Sequence, residues 1–143
     1  MSIIRIKNTL YNELVAYAKE HLPEEACGIV AGKIEGDEKL IEKVYFLENV
    51  DHAEDHFTMN PKDQLATIKD IRANGMVQIG NWHSHPSSPS RPSVEDIRLS
   101  YDSKASYLIL SFMTDAPVIN SFHVENGEYS KEDLRIYNDE YWF

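Results

Sequence analysis

The chain has 143 residues, 42% of them hydrophobic, and its 24 acidic against 14 basic side chains leave a formal charge of −10. That length fits one domain, residues 1–143, able to bury roughly two-thirds of its unfolded surface, and the acidic balance argues against nucleic acid, whose phosphates it would repel. The N-terminus has no signal-peptide core and no apolar run reaches the length a bilayer needs, so no membrane partner and a cytoplasmic location are expected.

In chain order, residues 3–6 read as a first strand. Asn8 can cap a helix running to about His21, with Leu10, Leu14 and Ala18 on one stripe. Residues 27–32 and 40–46 pair as a hairpin across Glu35-Gly36-Asp37. Asn60-Pro61 opens a second helix with proline at its first position, and Gly75 stops it. Residues 76–85, rich in β-branched and aromatic side chains, read as a strand, and Ser93 opens a helix from 94 to about 101. Residues 107–112 and 118–124 are two further strands, and Asn126-Gly127 turns into a last strand or tail. The aromatic, acidic segment 137–143 receives no assignment. This order predicts an α/β fold, one curved mixed β-sheet flanked by helices.

The chemistry concentrates in Asn81-Trp82-His83-Ser84-His85-Pro86 and in Ser93-Val94-Glu95-Asp96. Residues two apart on a strand share a face, so His83 and His85 project together while Trp82 points to the core side. Three prolines and three serines in 86–92 make a stiff loop that redirects the chain. Ser93 and Asp96, three apart at a helix start, point toward one region. Two imidazoles and a carboxylate are three ligands for zinc and leave a fourth position open, the catalytic pattern. Taken alone, Ser-x-x-Asp is equally a capped helix start, and His-x-His alone equally a pair of solvated side chains; the combination at fixed spacing is what points to a site.

Upstream, Glu24 and Glu25 lead into the apolar run Ala26-Cys27-Gly28-Ile29-Val30-Ala31. A carboxyl at the mouth of such a run is desolvated, which raises its pKa and suits it to proton transfer. Spacing alone does not choose between the two glutamates, and both also read as a strand edge. Cys27, the single cysteine, excludes an internal disulfide and reads as a small core residue.

The set Glu25-x-Cys27-Gly28, His83-x-His85, seven residues, Ser93-x-x-Asp96 resembles the JAMM motif of the MPN-domain metallopeptidases, the Mov34 or PAD-1 family, over residues from about 5 to 122. The resemblance implies that Glu25 is the general acid/base, that His83, His85 and Asp96 bind Zn2+, and that Ser93 hydrogen-bonds the oxyanion. It implies the MPN fold, related to cytidine deaminases. It also implies a metallopeptidase of the short prokaryotic type, whose substrate is the C-terminal tail of a ubiquitin-like sulfur-carrier protein or an amino acid such as cysteine attached to it. An extended tail of that kind is expected to add as a strand beside the zinc strand. The rival readings are a non-enzymatic MPN-type scaffold and a structural zinc. Deamination lacks its His-x-Glu and Pro-Cys-x-x-Cys elements. Asp51-His52-Ala53-Glu54-Asp55-His56 reads as a solvated loop, with a second metal site or a border of the substrate cleft as alternatives. His21 fits a helix C-terminus, and His123 has no nameable partner.

Overall fold

The computed structural model describes residues 2–138. In β1 (Ile3–Lys7) alternation buries Ile4 and Ile6, and the chain passes without a break into α1 (Asn8–Glu20). Lys7 therefore occupies the N-cap with no side-chain cap bond, and the expected cap, Asn8, is the first helical residue. The reason is that Lys7 is still held in its strand, opposite Tyr137. Leu14 and Ala18 of α1 are fully buried, as their spacing required.

A hairpin follows, β2 (Cys27–Glu35) and β3 (Glu38–Leu47), turning at Gly36 with φ +63°. α2 (Pro61–Ala73) starts as expected, with the Asn60 side chain accepting from the Lys62 N–H at 2.8 Å and Gly75 leaving the helix at φ +68°. Then come β4 (Val77–His85), α3 (Val94–Arg98), β5 (Ser106–Ser111), β6 (Val118–Glu125) and β7 (Glu128–Tyr137). α3 ends three residues short of its predicted limit, where Leu99 becomes the C-cap.

The strands run in the order β1-β3-β2-β4-β5-β6-β7 and close into a barrel. This corrects the expected curved sheet, while its mixed character is as expected. The segment after Asn126-Gly127 is a full strand, and β1 pairs in parallel with both β3 and β7, from Ile3 opposite Asp133 to Lys7 opposite Tyr137. Residues 139–143 of the unassigned tail lie outside the described residues.

The core divides between the two faces of the sheet. Ile4, Val30, Ile41, Trp82, Leu108 and Leu110 pack with Leu14 and Ala18 of α1. Ile29 and Ala31 pack with Ile71 of α2. Tyr107, Ile109, Phe122 and Val124 pack with Ile97 of α3. Trp82, fully buried, donates from Nε1 to the Tyr45 carbonyl at 3.1 Å. That crossing explains Gly28: a Cβ there would stand 1.8 Å from the Tyr45 oxygen and 2.4 Å from Trp82 Nε1. No helix among the described residues is long and apolar enough to cross a membrane.

Candidate metal centre

β4 and α3 deliver three donors to one point. His83 Nε2 and His85 Nε2 stand 3.0 Å apart, and Asp96 Oδ2 lies 3.1 Å from each. Strand alternation puts the two imidazoles on one face, and burial holds them there at 3% exposure each. Ser93 makes a full capping box with Asp96: its hydroxyl accepts from the Asp96 N–H at 3.0 Å, and its own N–H donates to Asp96 Oδ2 at 2.9 Å. The cap and the site are thus one construction, since the oxygen that closes the box is the oxygen that faces both histidines.

Tetrahedral zinc with donors at ~2.0–2.1 Å sets them about 3.3–3.4 Å from one another, close to the observed triangle, and these are the only three clustered donors of this kind among the described residues. The ionisation of His83 and of Asp96 suits a cation. Burial pulls the His83 imidazole below its ordinary value and so keeps it neutral. Burial works against ionised Asp96, but hydrogen bonds from the two histidines and the Ser93 N–H outweigh it and hold the carboxyl well below the usual range. His85 is also pulled down by burial, yet Asp96 and the Pro89 carbonyl carry it above its ordinary value. Its Nδ1 lies 2.8 Å from the Pro89 carbonyl, the outer contact that orients a ligating imidazole. His83 Nδ1 is buried with no protein partner, and its ring is instead stacked on Phe57 with centroids 4.8 Å apart.

The structure separates the two glutamates that spacing left open. Glu24 is half-buried and meets His52 at 3.3 Å. Glu25 is 4% exposed, its Oε1 is buried without a protein partner, and burial pushes its carboxyl up to about 8, with His85 pulling down and Asp96 pushing up. Cys27 is fully buried, its thiol pushed up to about 12 by burial and by Glu25, which makes it a core residue and a poor nucleophile.

Sequence reasoning missed the residue that seats Glu25. Asn49, 6% exposed, donates to the Glu25 carbonyl at 3.0 Å and to the His56 carbonyl at 3.0 Å. Its Oδ1 accepts from the N–H groups of Asp51 and Thr58, and the Glu25 N–H donates to the Ala53 carbonyl at 2.8 Å. One amide therefore fastens the 50–58 loop to the backbone of Glu25 and sets Phe57 over His83. On the other side Ser84 Oγ accepts from the Ala26 N–H at 2.8 Å. A lone polar residue after a strand carries no local sign of this, though its place between an apolar strand and a polar loop was a usable hint.

The Asp51–His56 segment borders the site and holds no second donor cluster: His52 meets Glu24 and Glu48, His56 meets Asp55 and Asp51, all on the surface. His21 bonds the Tyr17 carbonyl at 2.8 Å, and His123 lies 3.9 Å from Glu125. One expectation about substrate is narrowed. β4 is flanked by β2, with His83 opposite Cys27, and by β5, with His83 opposite Ile109 and His85 opposite Ser111. Both ladders are taken over residues 80–83, so no strand can add beside His83, while His85 is paired with β5 alone.

Fold and donors together define an α/β protein with a three-donor cluster that could hold a metal ion. The family described as prokaryotic homologs of the JAB domain matches residues 7–125, and the chain belongs to that family. It is 26% identical over 137 residues to the CysO-cysteine peptidase of Mycobacterium tuberculosis, covering 94% of this chain and 91% of that protein. It is 30% identical over 105 residues to the desampylase of Pyrococcus furiosus, covering 73% and 63% respectively. The solution structure of DSY2949 from Desulfitobacterium hafniense superposes with a TM-score of 0.87 at 40% identity, covering 96% of this chain and 94% of that one.

Proposed function

We propose that the chain is a zinc-dependent hydrolase of amide bonds at the C-terminal tail of a ubiquitin-like sulfur-carrier protein, including bonds to an attached amino acid. The observation that carries this reading is the convergence of His83, His85 and Asp96 within 3.1 Å in electrostatic reach of a buried, unpaired Glu25 carboxyl. The names of the curated relatives, a peptidase and a desampylase, support a hydrolase.

In this reading His83, His85 and Asp96 hold the zinc. When bound, zinc supplies Lewis acidity to the scissile carbonyl and lowers the pKa of the attacking water toward ~7. Glu25 takes the water's proton and returns it to the departing amine, a task suited to a carboxyl whose pKa stands near neutrality. Ser93, whose oxygen is engaged by the Asp96 N–H, keeps its hydroxyl proton free to donate to the carbonyl oxygen as charge builds there. Asn49 and Ser84 act behind these groups by holding the backbone on either side of Glu25.

The test is to incubate the zinc-loaded protein with a ubiquitin-like sulfur carrier extended beyond its diglycine and to follow the mass with and without chelator. Chelator-sensitive cleavage after the diglycine is the expected result. An intact carrier alongside one-to-one zinc would overturn the substrate assignment.

A further inference from the structure

Two clefts share walls with the donor cluster, and they differ in chemistry. One is a narrow slot of about 40 Å³ between β4, β5 and the end of α3, walled by Phe57, Leu99, Tyr107, Ile109 and Val124 beside His83 and Asp96, with no lysine or arginine. The other, about 200 Å³, lies along the proline-serine loop and is lined by His85, Ser88, Pro89, Arg91, Pro92 and Ser93. Arg91 supplies the one permanently charged cation in either lining. Its guanidinium makes no ion pair or hydrogen bond among the described residues, although the chain carries ten more acidic than basic side chains.

The loop that bears Arg91 is stiff. The Ser88 carbonyl accepts from Ser111 Oγ at 2.6 Å, Ser90 Oγ donates to the Ile109 carbonyl at 2.6 Å, and Asn120 donates to Ser90 Oγ at 3.0 Å. Prolines stand two before and one after Arg91, and its own N–H is bonded to the Pro89 carbonyl at 2.9 Å. An exposed, unpartnered guanidinium carried on so fixed a backbone, in a cleft shared with His85 and Ser93, is placed to receive a carboxylate. Before cleavage, the acyl side of a peptide offers no main-chain carboxylate next to the scissile carbonyl. On the leaving side, a single C-terminal residue offers its α-carboxylate one carbon away from the scissile nitrogen. A lysine side chain of a protein, joined by an isopeptide bond, offers none. The cleft is also smaller than the ~300–1,000 Å³ of pockets for drug-sized ligands, which fits one amino acid.

We propose that Arg91 binds the α-carboxylate of the departing residue, so that the enzyme removes a single C-terminal amino acid in preference to opening isopeptide bonds. The inference rests on the hydrolase reading above. The water oxygen bonds to the carbonyl carbon, the C–N bond breaks, and the proton passed through Glu25 goes to the amine. The products are a carrier ending in a carboxylate and a free amino acid.

Two measurements test it. The first compares kcat/KM for a carrier extended by one residue as the free acid and as its C-terminal amide. The wild type should prefer the acid by roughly 10- to 100-fold, the worth of one charge-assisted contact, and Arg91→Gln should bring the ratio near one. Equal rates in the wild type, or a preference that survives in R91Q, would overturn the proposal. The second needs no turnover: an acetylated Gly-Gly-Ala peptide, acid and amide, is titrated against zinc-loaded E25Q and against E25Q/R91Q. Tighter binding of the acid only while Arg91 is present supports the proposal, and an acid preference independent of Arg91 refutes it. A wild type that cleaves neither carrier sinks the hydrolase reading, while the titration still decides Arg91.

Discussion

Two pairs of histidines lie among acids in this chain, and they meet opposite fates. His83 and His85 are buried, and their ring nitrogens converge with a single carboxylate oxygen. His52 is exposed and His56 half-exposed, and each meets its own two carboxylates at 2.8–3.5 Å. Donor residues are denser in the 51–56 segment than between His83 and Asp96, so convergence and not density is what makes the cluster. In β4 the two-residue period aims both rings one way, and ladders fix them, His83 between β2 and β5 and His85 against β5. In the 50–58 loop neither constraint exists, and solvent screens what pairing there is.

The comparison breaks most visibly at the cluster itself. Asp96→Ala, or His85→Ala, is expected to abolish stoichiometric zinc and to lower kcat/KM by about 1,000-fold or more, read by metal analysis and by carrier cleavage. Unaltered metal content would dissolve the distinction between the two pairs. Next in size, Glu25→Gln is expected to keep zinc and lower kcat by roughly 100- to 10,000-fold.

The same variant has a stability signature in the metal-free protein. The folded carboxyl stands near 8 against an ordinary value of 4.5, so between those values the native state holds a proton that the unfolded state has lost. Metal-free stability then falls as pH rises through that window, by up to ~1.4 kcal/mol per unit from this group. E25Q removes that slope. Its melting temperature should match the wild type near pH 4.5 and exceed it increasingly toward pH 8, and parallel profiles would show that Glu25 is not strained by burial.

Asn49→Ala should cost about 1–3 kcal/mol in denaturant unfolding, because it leaves the carbonyls of Glu25 and His56 and two loop N–H groups without their partner. Smallest of all, His52→Ala and His56→Ala are each expected to leave zinc stoichiometry unaltered and to shift stability by no more than about 0.5 kcal/mol. Loss of metal in either would make the loop a ligand source after all.

Much of this was legible in the residues alone, and the reasons are local. A period of two in His83-x-His85 and a helical offset of three in Ser93-x-x-Asp96 are geometric facts of any strand and any helix. Asn60-Pro61 and Gly75 bounded α2 because capping and positive φ are properties of single residues. Asn8 misled because a helix start was read without knowing that Lys7 is tied to Tyr137, 130 residues away in sequence.

What only the tertiary structure decided depends on such long-range pairings. Closure of the sheet through β1 and β7, the pairing of His83 on both sides, and the burial that strips Glu25 of water have no periodic signature, because each is settled by which distant segment lies alongside. The sequence by itself determined that His83, His85, Ser93 and Asp96 are presented together. The fold determined which carboxyl is stripped of water, which amide holds it, and which faces remain open, since burial and pairing belong to the whole chain and not to any window of it.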